Sequence, residues 1–281
     1  MVQAPPKISV VIVTRNRAEL LKKTLDRVVA DGYPNREIIV VDGNSSDGTV
    51  ELLRSYGDAI TRWISEPDRN EAHAWNKAFK LMTGDLVKLL GDDDLLHPGA
   101  LAAGARHFAE HPETEMLFGQ ARFIDTTTDP PRVFDEEPKL DLAALTVRNM
   151  IRRTIRVPYS LTVFARRETL LRIGDFSETY KAIDVEYFLR AAVAGVVMRI
   201  TPVIVVDTLM HGENGRIKLL RALKRDLVRA ALTYGKPSDV VASALTVFGA
   251  EARQHLARPF HRLGLHPRQR WNAWRERLRA A

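Results

Sequence analysis

Short, continuous apolar runs alternate with longer amphipathic segments through the N-terminal part of the chain. Ile8–Val13 and the run at 37–41 are rich in β-branched and aliphatic side chains, which predicts strands buried on both faces. The segment between them has the spacing of a helix from about Ala18 to Ala30, with one apolar face made of Leu20, Leu21, Leu25, Val28 and Val29. The chain therefore begins with a strand, a helix and a second strand.

The alternation continues to residue 91. The pattern predicts a helix at 47–56, a strand at 60–64, a helix at 71–82 and a strand at 86–91. Alternating strands and helices with continuous apolar strands are typical of a parallel sheet that helices cover on both faces. We therefore predict an α/β fold.

The rest of the chain is expected to extend this sheet before its pattern changes. The predicted elements are a helix at 98–110, a strand at 115–124, a mobile Pro-rich loop at 126–138, a helix at 184–194 and a strand at 196–206. Beyond Gly215 the pattern is helical and basic. We predict a domain at 1–215 and a basic, amphipathic helical tail at 216–281.

The net charge of +7 is divided unevenly between these parts. Residues 216–281 hold 15 Lys and Arg against 4 Asp and Glu, whereas residues 1–215 hold 27 against 31. There are no cysteines, no N-terminal apolar region typical of a signal peptide, and no apolar run of about 20 residues that would span a membrane. We expect a cytoplasmic protein whose tail meets an anionic partner.

Three readings of the tail remain open. Trp271 and Trp274 stand among arginines near the C-terminus, which suits a helix lying on an anionic membrane surface, here the inner face of the membrane. A helix packed on the first domain with a solvated basic face explains the same pattern. Nucleic acid is the least favoured partner, because no recognised nucleic-acid-binding fold is present.

Polar clusters follow three of the predicted strands. Thr14–Arg17 follows the first strand, Asp42–Thr49 the second, and Asp92, Asp93 and Asp94 come after the strand at 86–91. Ligands of open parallel sheets sit beyond the carboxyl ends of the strands, so these segments are expected to build one pocket. No Gly-x-Gly-x-x-Gly or Walker motif follows the first strand, which argues against dinucleotide and P-loop enzymes.

Three consecutive carboxylates repel one another and require compensation. A divalent cation such as Mg²⁺ or Mn²⁺, which prefers hard oxygen ligands, would supply it. The alternative is a solvated turn that caps the helix after Pro98. Asp42 has two interpretations of its own, a hydrogen-bond acceptor for a base or ribose, or a turn residue before Gly43.

Five segments in order resemble a family 2 glycosyltransferase of the bacterial polysaccharide type, which has the GT-A fold. They are Ile8–Leu20, Glu37–Thr49, Ser65–Lys77, Thr83–Leu96 and Asp184–Arg190. The resemblance covers about 7–212 and implies a Rossmann-like, mostly parallel sheet flanked by helices. It also implies a nucleotide-diphosphate sugar donor, Mn²⁺ or Mg²⁺ as cofactor, and transfer with inversion.

The resemblance assigns roles to particular positions. For the nucleotide and donor the matching residues are Thr14, Arg15, Asn16, Asp42, Asp68, Arg69, Asn76 and Asp92. Asp93 and Asp94 match the metal motif, with Asp93 the expected direct ligand, and Asp92 stands in for the motif's first position, which falls on Gly91. His211 matches a histidine near the metal, although a lone histidine is more often a structural hydrogen-bonding group.

The same resemblance places the catalytic base at Asp184, with Glu186 as the second choice. Inversion needs a base that accepts the proton of the attacking hydroxyl group. The alternative for Asp184 is a helix N-cap.

We predict an inverting, metal-dependent glycosyltransferase that acts on a nucleotide-diphosphate sugar, with UDP favoured, and on a saccharide or lipid-linked acceptor. A nucleotidyltransferase of the same fold is one alternative, disfavoured because Thr14–Arg17 lacks glycine. A non-catalytic scaffold at the membrane is the other.

Overall fold

The computed structural model describes residues 4–136 and 160–210, together with 226, 229, 230 and 232–235. Within these residues nine strands form one mixed sheet, with helices packed on both of its faces. The predicted α/β class and the helix-covered sheet are confirmed.

The N-terminal half of the sheet is parallel. Its elements are β1 (Ile8–Thr14), α1 (Ala18–Ala30), β2 (Arg36–Asp42), α2 (Thr49–Ser55), β3 (Arg62–Ser65), α3 (Glu71–Phe79) and β4 (Leu86–Gly91). The strands stand in the order β3-β2-β1-β4. Every element predicted here is present, and α1 has the predicted bounds, because continuous apolar strands and a helical period are local properties of the sequence.

The C-terminal half is mixed. Its elements are β5 (Asp94–Leu96), α4 (Ala100–Glu110), β6 (Met116–Asp125), β7 (Arg132–Glu136), β8 (Val163–Arg166), α5 (Arg167–Ile173), α6 (Ile183–Val193) and β9 (Met198–Met210). The order continues β4-β8-β6-β9-β5, with β7 paired to β6. Only the β6–β9 pairing is parallel here, while β8, β7 and β5 run antiparallel to their neighbours.

Two expectations for this half were incomplete. Residues 132–136 form β7 and pair with β6, so the predicted loop at 126–138 is in part a hairpin. The strands β5 and β8 and the helix α5 were not predicted: β5 is too short to show a period and exists through its pairing with β9, and β8 is likewise a short strand.

The strands bury side chains in two apolar layers. On β1, Val11 packs on the face covered by α3 and α6, whereas Val10 and Ile12 pack on the face covered by α1 and α4. Successive side chains of a strand point to opposite faces, so an all-apolar strand fills both layers. Burial of each aliphatic side chain stabilises the fold by about 1.5–3 kcal/mol, so these strands hold the residues at their ends in place.

The described tail residues pack against the domain. Ala230 is buried within the layer that holds α6, and Tyr234 packs beside it. These contacts favour the packed alternative for residues 226, 229, 230 and 232–235, whereas Trp271, Trp274 and His211 lie outside the described residues. In the described part of the chain, no helix has both the length and the apolar character needed to cross a membrane.

Candidate active site

Four polar residues stand in a row at the carboxyl edge of the parallel strands. The register pairs Thr14 with Asp42 across β1 and β2, and Asp42 with Ser65 across β2 and β3. Gly91, the last residue of β4, lies opposite Val13, so Asp92 leaves the sheet beside Thr14. The three polar clusters predicted to converge are brought to one edge.

Asp42 is held from two sides. Its carboxylate accepts hydrogen bonds from the Ser45 amide at 3.0 Å and from the Ser65 hydroxyl at 2.6 Å, and it is fully buried. The Ser45 hydroxyl also donates to it. A side chain at Gly43 would meet Asp68 Oδ2 at 2.9 Å, so glycine lets the β2 loop approach the segment after β3. Asp42 thus holds the loop after β2 against the end of β3 at this edge of the sheet.

The loops after β1 and β2 are tied together. The Asn16 side-chain oxygen accepts from the Ser46 amide at 2.9 Å, and Asn16 itself has a positive φ of 53°. Asp47 accepts from the Ala18 amide at 3.0 Å and from the Thr49 amide at 3.1 Å. Asp47 therefore binds the first backbone amides of both α1 and α2 and ties the two helix starts together.

Asp92 and Asp93 share one cation, the guanidinium group of Arg17. Its Nη1 atom lies 3.1 Å from Asp92 Oδ1 and 3.1 Å from Asp93 Oδ2. The Thr14 hydroxyl donates to Asp92 at 2.8 Å. Burial raises the pKa of Asp92, and Arg17 and Thr14 oppose that rise. The two carboxylates therefore converge on a single point of positive charge.

Asp94 points into the core instead. It is fully buried, and the Thr208 hydroxyl donates to it at 2.6 Å. Burial raises the pKa of Asp94 to about 7, and burial lowers that of the neighbouring Lys88 to about 7. Asp94 thus stands at the start of β5, bound to Thr208 of β9, and its carboxylate and that of Asp93 both lie beside Gly91.

The donor set at this edge fits a divalent cation in part. Asp92 and Asp93 offer hard carboxylate oxygens to one point, now marked by the Arg17 nitrogen. No cluster of three or more acidic or histidine ligands occurs among the residues that the structure describes. An ion held by Asp92 and Asp93 would need further oxygens, which water and a diphosphate supply in magnesium-type sites.

The segment after β3 lies beside the loop that follows Asp42. Lys77 Nζ lies 2.8 Å from Asp68 Oδ1, so Asp68 is paired and nearly buried. Arg69 forms a two-pronged pair with Glu178, with both N–O distances at 2.7 Å. The Asn70 side chain caps α3 by accepting from the His73 amide at 3.0 Å. Asp68 and Arg69 are therefore held at the cleft by charged partners.

Asn76 has a different position from the one expected. Its side-chain amide donates to the Phe176 carbonyl at 2.9 Å and accepts from the Phe176 amide at 2.8 Å. The residue is buried among the aromatic side chains of α3 and α6. Because both polar atoms are engaged by backbone, we leave Asn76 out of the proposed donor site.

Asp184 and Glu186 are separated by the fold. Ala182, and not Asp184, takes the N-cap position of α6, and Asp184 lies half-buried in the first turn. Glu186 is buried, and Tyr234 Oη at 2.6 Å and Arg190 Nε at 3.0 Å donate to it. This engagement gives Glu186 a structural role and leaves Asp184 as the stronger candidate base.

Glu71 joins the site unexpectedly. Its carboxylate is accessible to solvent yet closely surrounded, as in the wall of a cleft, and burial raises its pKa, with the charges of Asp184 and Asp92 adding to the rise and Arg17 opposing it. Asp184, Asp92 and Arg17 thus come within electrostatic range of one side chain. No pattern in the sequence marked Glu71, which is the first residue of α3. Arg17 stood in the polar cluster after β1 without an assigned role.

Comparisons with known proteins agree with this geometry. The sequence model of glycosyl transferase family 2 matches residues 9–188. A PGL/p-HBAD biosynthesis glycosyltransferase of Mycobacterium bovis is 27% identical over 184 residues, which cover 64% of this chain and 67% of the relative. An uncharacterized glycosyltransferase of Rickettsia typhi is 34% identical over 96 residues, and the match covers 34% of this chain and 30% of that protein.

Solved structures show the same fold at low identity. The mannosyltransferase PcManGT from Pyrobaculum calidifontis, in complex with GDP-Man and Mn²⁺, aligns with a TM-score of 0.65 and 20% identity, over 96% of this chain and 84% of that one. S. aureus TarS 1-349 in complex with UDP-GlcNAc aligns with a TM-score of 0.61 and 15% identity, over 89% and 73%. A longer TarS chain is spanned over only 44% of its length.

Proposed function

The chain belongs to glycosyl transferase family 2, a family of enzymes, and we propose that it moves a sugar from a nucleotide-diphosphate sugar to a saccharide or lipid-linked acceptor, with inversion. The observation that carries the proposal is the convergence of Asp92 and Asp93 on one cation at the carboxyl edge of the parallel strands. Beside that point lie the ends of β1, β2 and β3.

The donor is proposed to lie along this edge. The nucleotide would contact Asp42 and the loop of Thr14, Arg15 and Asn16, and Asp68 and Arg69 would face the sugar or diphosphate. One structural neighbour was solved with UDP-GlcNAc and another with GDP-Man, which defines the donor classes to test. UDP remains our favoured nucleotide.

Asp92 and Asp93 would hold a Mn²⁺ or Mg²⁺ ion, with His211, which lies outside the described residues, as a further proposed ligand. Such an ion stabilises negative charge on a leaving diphosphate. In this site Arg17 balances the same two carboxylates, and it is close enough to do so before donor and ion arrive. Asp94, our other proposed metal residue, would act indirectly: its hydrogen bond with Thr208 holds β5 in position next to Asp93.

Asp184 is the proposed base. The acceptor oxygen would attack the anomeric carbon, its proton would pass to the Asp184 carboxylate, and the bond from that carbon to the diphosphate oxygen would break. The nucleoside diphosphate leaves with the electron pair, and the new bond forms on the opposite face. Glu71, whose pKa is raised in part by the charge of Asp184, is a further candidate to bind an acceptor hydroxyl group.

The location of the reaction follows from the acceptor. A lipid-linked saccharide would bring the cytoplasmic enzyme to the inner face of the membrane, where the basic tail suits an anionic surface. We retain the division into a catalytic unit at 1–215 and a tail at 216–281 as a proposal.

A panel of nucleotide-sugars, titrated calorimetrically with and without Mn²⁺, tests the proposal. UDP-GlcNAc, UDP-glucose, GDP-mannose and a dTDP-sugar cover the donor classes. We expect metal-dependent binding of one of them by the folded full-length chain. Pyrophosphate release from a nucleoside triphosphate would support a nucleotidyltransferase instead, and donor binding without any turnover would favour a scaffold.

A further inference from the structure

The described residues of the tail form hydrogen bonds with the loop between α5 and α6. This α5–α6 loop, residues 174–182, lies between Ile173 and the start of α6. Asp226 Oδ2 accepts from the backbone amides of Lys181 at 2.6 Å and Ala182 at 2.8 Å. Arg229 donates to the Thr179 carbonyl at 3.2 Å, and its guanidinium group lies 4.3 Å from the centre of the Tyr180 ring.

The same tail segment also contacts α6 beyond the loop. Tyr234 Oη donates to Glu186 at 2.6 Å, and Ala230 is buried in the core layer. Asp226 therefore binds just before Asp184 in the chain, and Tyr234 binds just after it. The first turn of α6, which carries Asp184, is bracketed by two tail contacts.

The opposite side of the α5–α6 loop is held by the segment after β3 and by α3. Glu178 binds Arg69 through two N–O contacts of 2.7 Å, and its carbonyl accepts from Asn70 at 3.1 Å. Asn76 binds the Phe176 backbone in both directions. The loop is thus a rigid bridge between the proposed donor site and the tail.

We propose that Asp226 is a positioning residue, which fixes the first turn of α6 so that Asp184 faces the cleft. The inference rests on the proposed function of Asp184 as base. Two amide groups at the start of a helix carry no intrahelical partner, and a carboxylate that accepts from both holds that end of the helix strongly. Asp226 of the tail would then contribute to catalysis, in addition to any role of the tail in binding an anionic membrane surface.

The test compares Asp226→Ala and Asp226→Asn in the full-length chain. Asparagine keeps an oxygen that accepts from both amides, whereas alanine removes it. Leu232→Ala is the matched control, because Leu232 belongs to the same tail segment and is 67% exposed. The readouts are hydrogen exchange at residues 179–186, calorimetric binding of UDP with Mn²⁺, and release of nucleoside diphosphate from the donor that the panel identifies.

For Asp226→Ala we expect exchange at the Lys181 and Ala182 amides to rise on the order of tenfold, the effect of a lost charge-assisted hydrogen bond. The turnover number should fall about tenfold while KM for the donor and UDP affinity stay within about twofold, as for a defect confined to the transition state. Asp226→Asn should recover most of both effects, and Leu232→Ala should change neither.

Unchanged exchange in Asp226→Ala would overturn the inference, as would faster exchange with an unaltered turnover number. An equal loss of donor affinity and turnover would also overturn it, because that pattern belongs to general loosening of the domain. If Asp226→Ala does not fold, Asp226→Ser, whose shorter side chain withdraws the carboxylate from both amides, takes its place with the same readouts and the same expected results. A wild-type chain that turns over no donor would refute the proposed function itself, and exchange would still decide whether Asp226 holds the loop.

Discussion

Buried carboxylates lie at both ends of the parallel strands, and they are treated in opposite ways. At the amino ends, Glu37 accepts from Ser9 Oγ at 2.5 Å, from the Thr83 amide at 2.6 Å and from Lys7 Nζ at 2.8 Å. At the carboxyl ends, Asp92 and Asp93 share the single Nη1 atom of Arg17. Glu37 has several hydrogen-bond donors and one cation to itself, whereas Asp92 and Asp93 share one guanidinium nitrogen, and Asp92 also accepts from the Thr14 hydroxyl.

The pKa directions follow this difference. Burial alone would raise the pKa of Glu37, but hydrogen bonds from Lys7, Ser9 and Thr83 lower it to about 2. Burial raises the pKa of Asp92, and its partners do not overcome that effect. Glu37, with its pKa lowered by several donors, stabilises the fold, whereas Asp92, whose pKa stays raised beside Asp93, is suited to bind a cation.

Asp93→Asn tests the carboxyl end most severely. We expect turnover to fall about 10³-fold, since a developing charge on the leaving group would lose its stabilising site. The free energy of unfolding should hold or rise slightly, because the change removes one of two like charges. Metal-dependent release of nucleoside diphosphate and urea unfolding measure the two effects, with the exposed Asp58→Asn as control. Full activity would refute the site.

Asp184→Asn tests the proposed catalytic base, which lies in the first turn of α6. We expect turnover to fall on the order of 10²–10⁴-fold, the usual contribution of a general base, while donor affinity is kept. Single-turnover kinetics and calorimetric titration of the donor separate the two quantities. Glu168→Gln, an exposed acidic residue in the first turn of α5, is the matched control. Undiminished turnover in Asp184→Asn would show that another group takes the proton.

Glu37→Gln should give the reverse pattern at the amino end. The glutamine NH₂ group would face donors that now meet an acceptor, so we expect a loss of about 1–3 kcal/mol in the free energy of unfolding. Turnover should not change at a temperature where the variant is folded. Urea unfolding of Glu37→Gln and of the exposed control Glu51→Gln would check this. A loss of activity without a loss of stability would contradict the division between the two ends.

The contribution of Glu37 should also depend on pH. Its pKa in the folded chain is depressed from 4.5 to about 2, so its stabilisation is complete above about 4.5 and is lost as the pH falls through about 2. The difference in unfolding free energy between wild type and Glu37→Gln should shrink across that window. Urea titrations at several pH values between 6 and 2 measure it, and a constant difference would contradict the assignment.

Arg17→Met should have the smallest effect. Removing the competing cation is expected to tighten Mn²⁺ binding by about fivefold without donor, which is the roughly 1 kcal/mol of a partly exposed ion pair. Electron paramagnetic resonance of free Mn²⁺ reports the affinity directly. Lys23→Met, exposed on α1 away from both carboxylates, serves as control. Weaker binding in Arg17→Met would mean that Arg17 helps to hold the ion.

Some of the candidate site could be predicted from the sequence and some could not. The positions of Thr14, Asp42 and Asp92 followed from where apolar strands end, and their convergence followed from parallel pairing. The burial of Asn76 and the roles of Arg17 and Glu71 could not be predicted, because each depends on a partner far along the chain. Asn76 hydrogen-bonds to Phe176, Arg17 forms an ion pair with Asp92, and the charge of Asp184 contributes to the raised pKa of Glu71.

The sequence by itself determined the α/β class, the order of the elements through β4 and the chemistry at the strand ends, since periodicity and strand termination are local properties. Only the tertiary structure separated Asp93 from Asp94. Asp93 stands in the turn before β5 and reaches Arg17, whereas Asp94 begins β5, whose pairing with β9 sets it beside Thr208. The burial of a carboxylate and the charges around it are set by residues that the fold brings together. Identical side chains therefore acquire different roles.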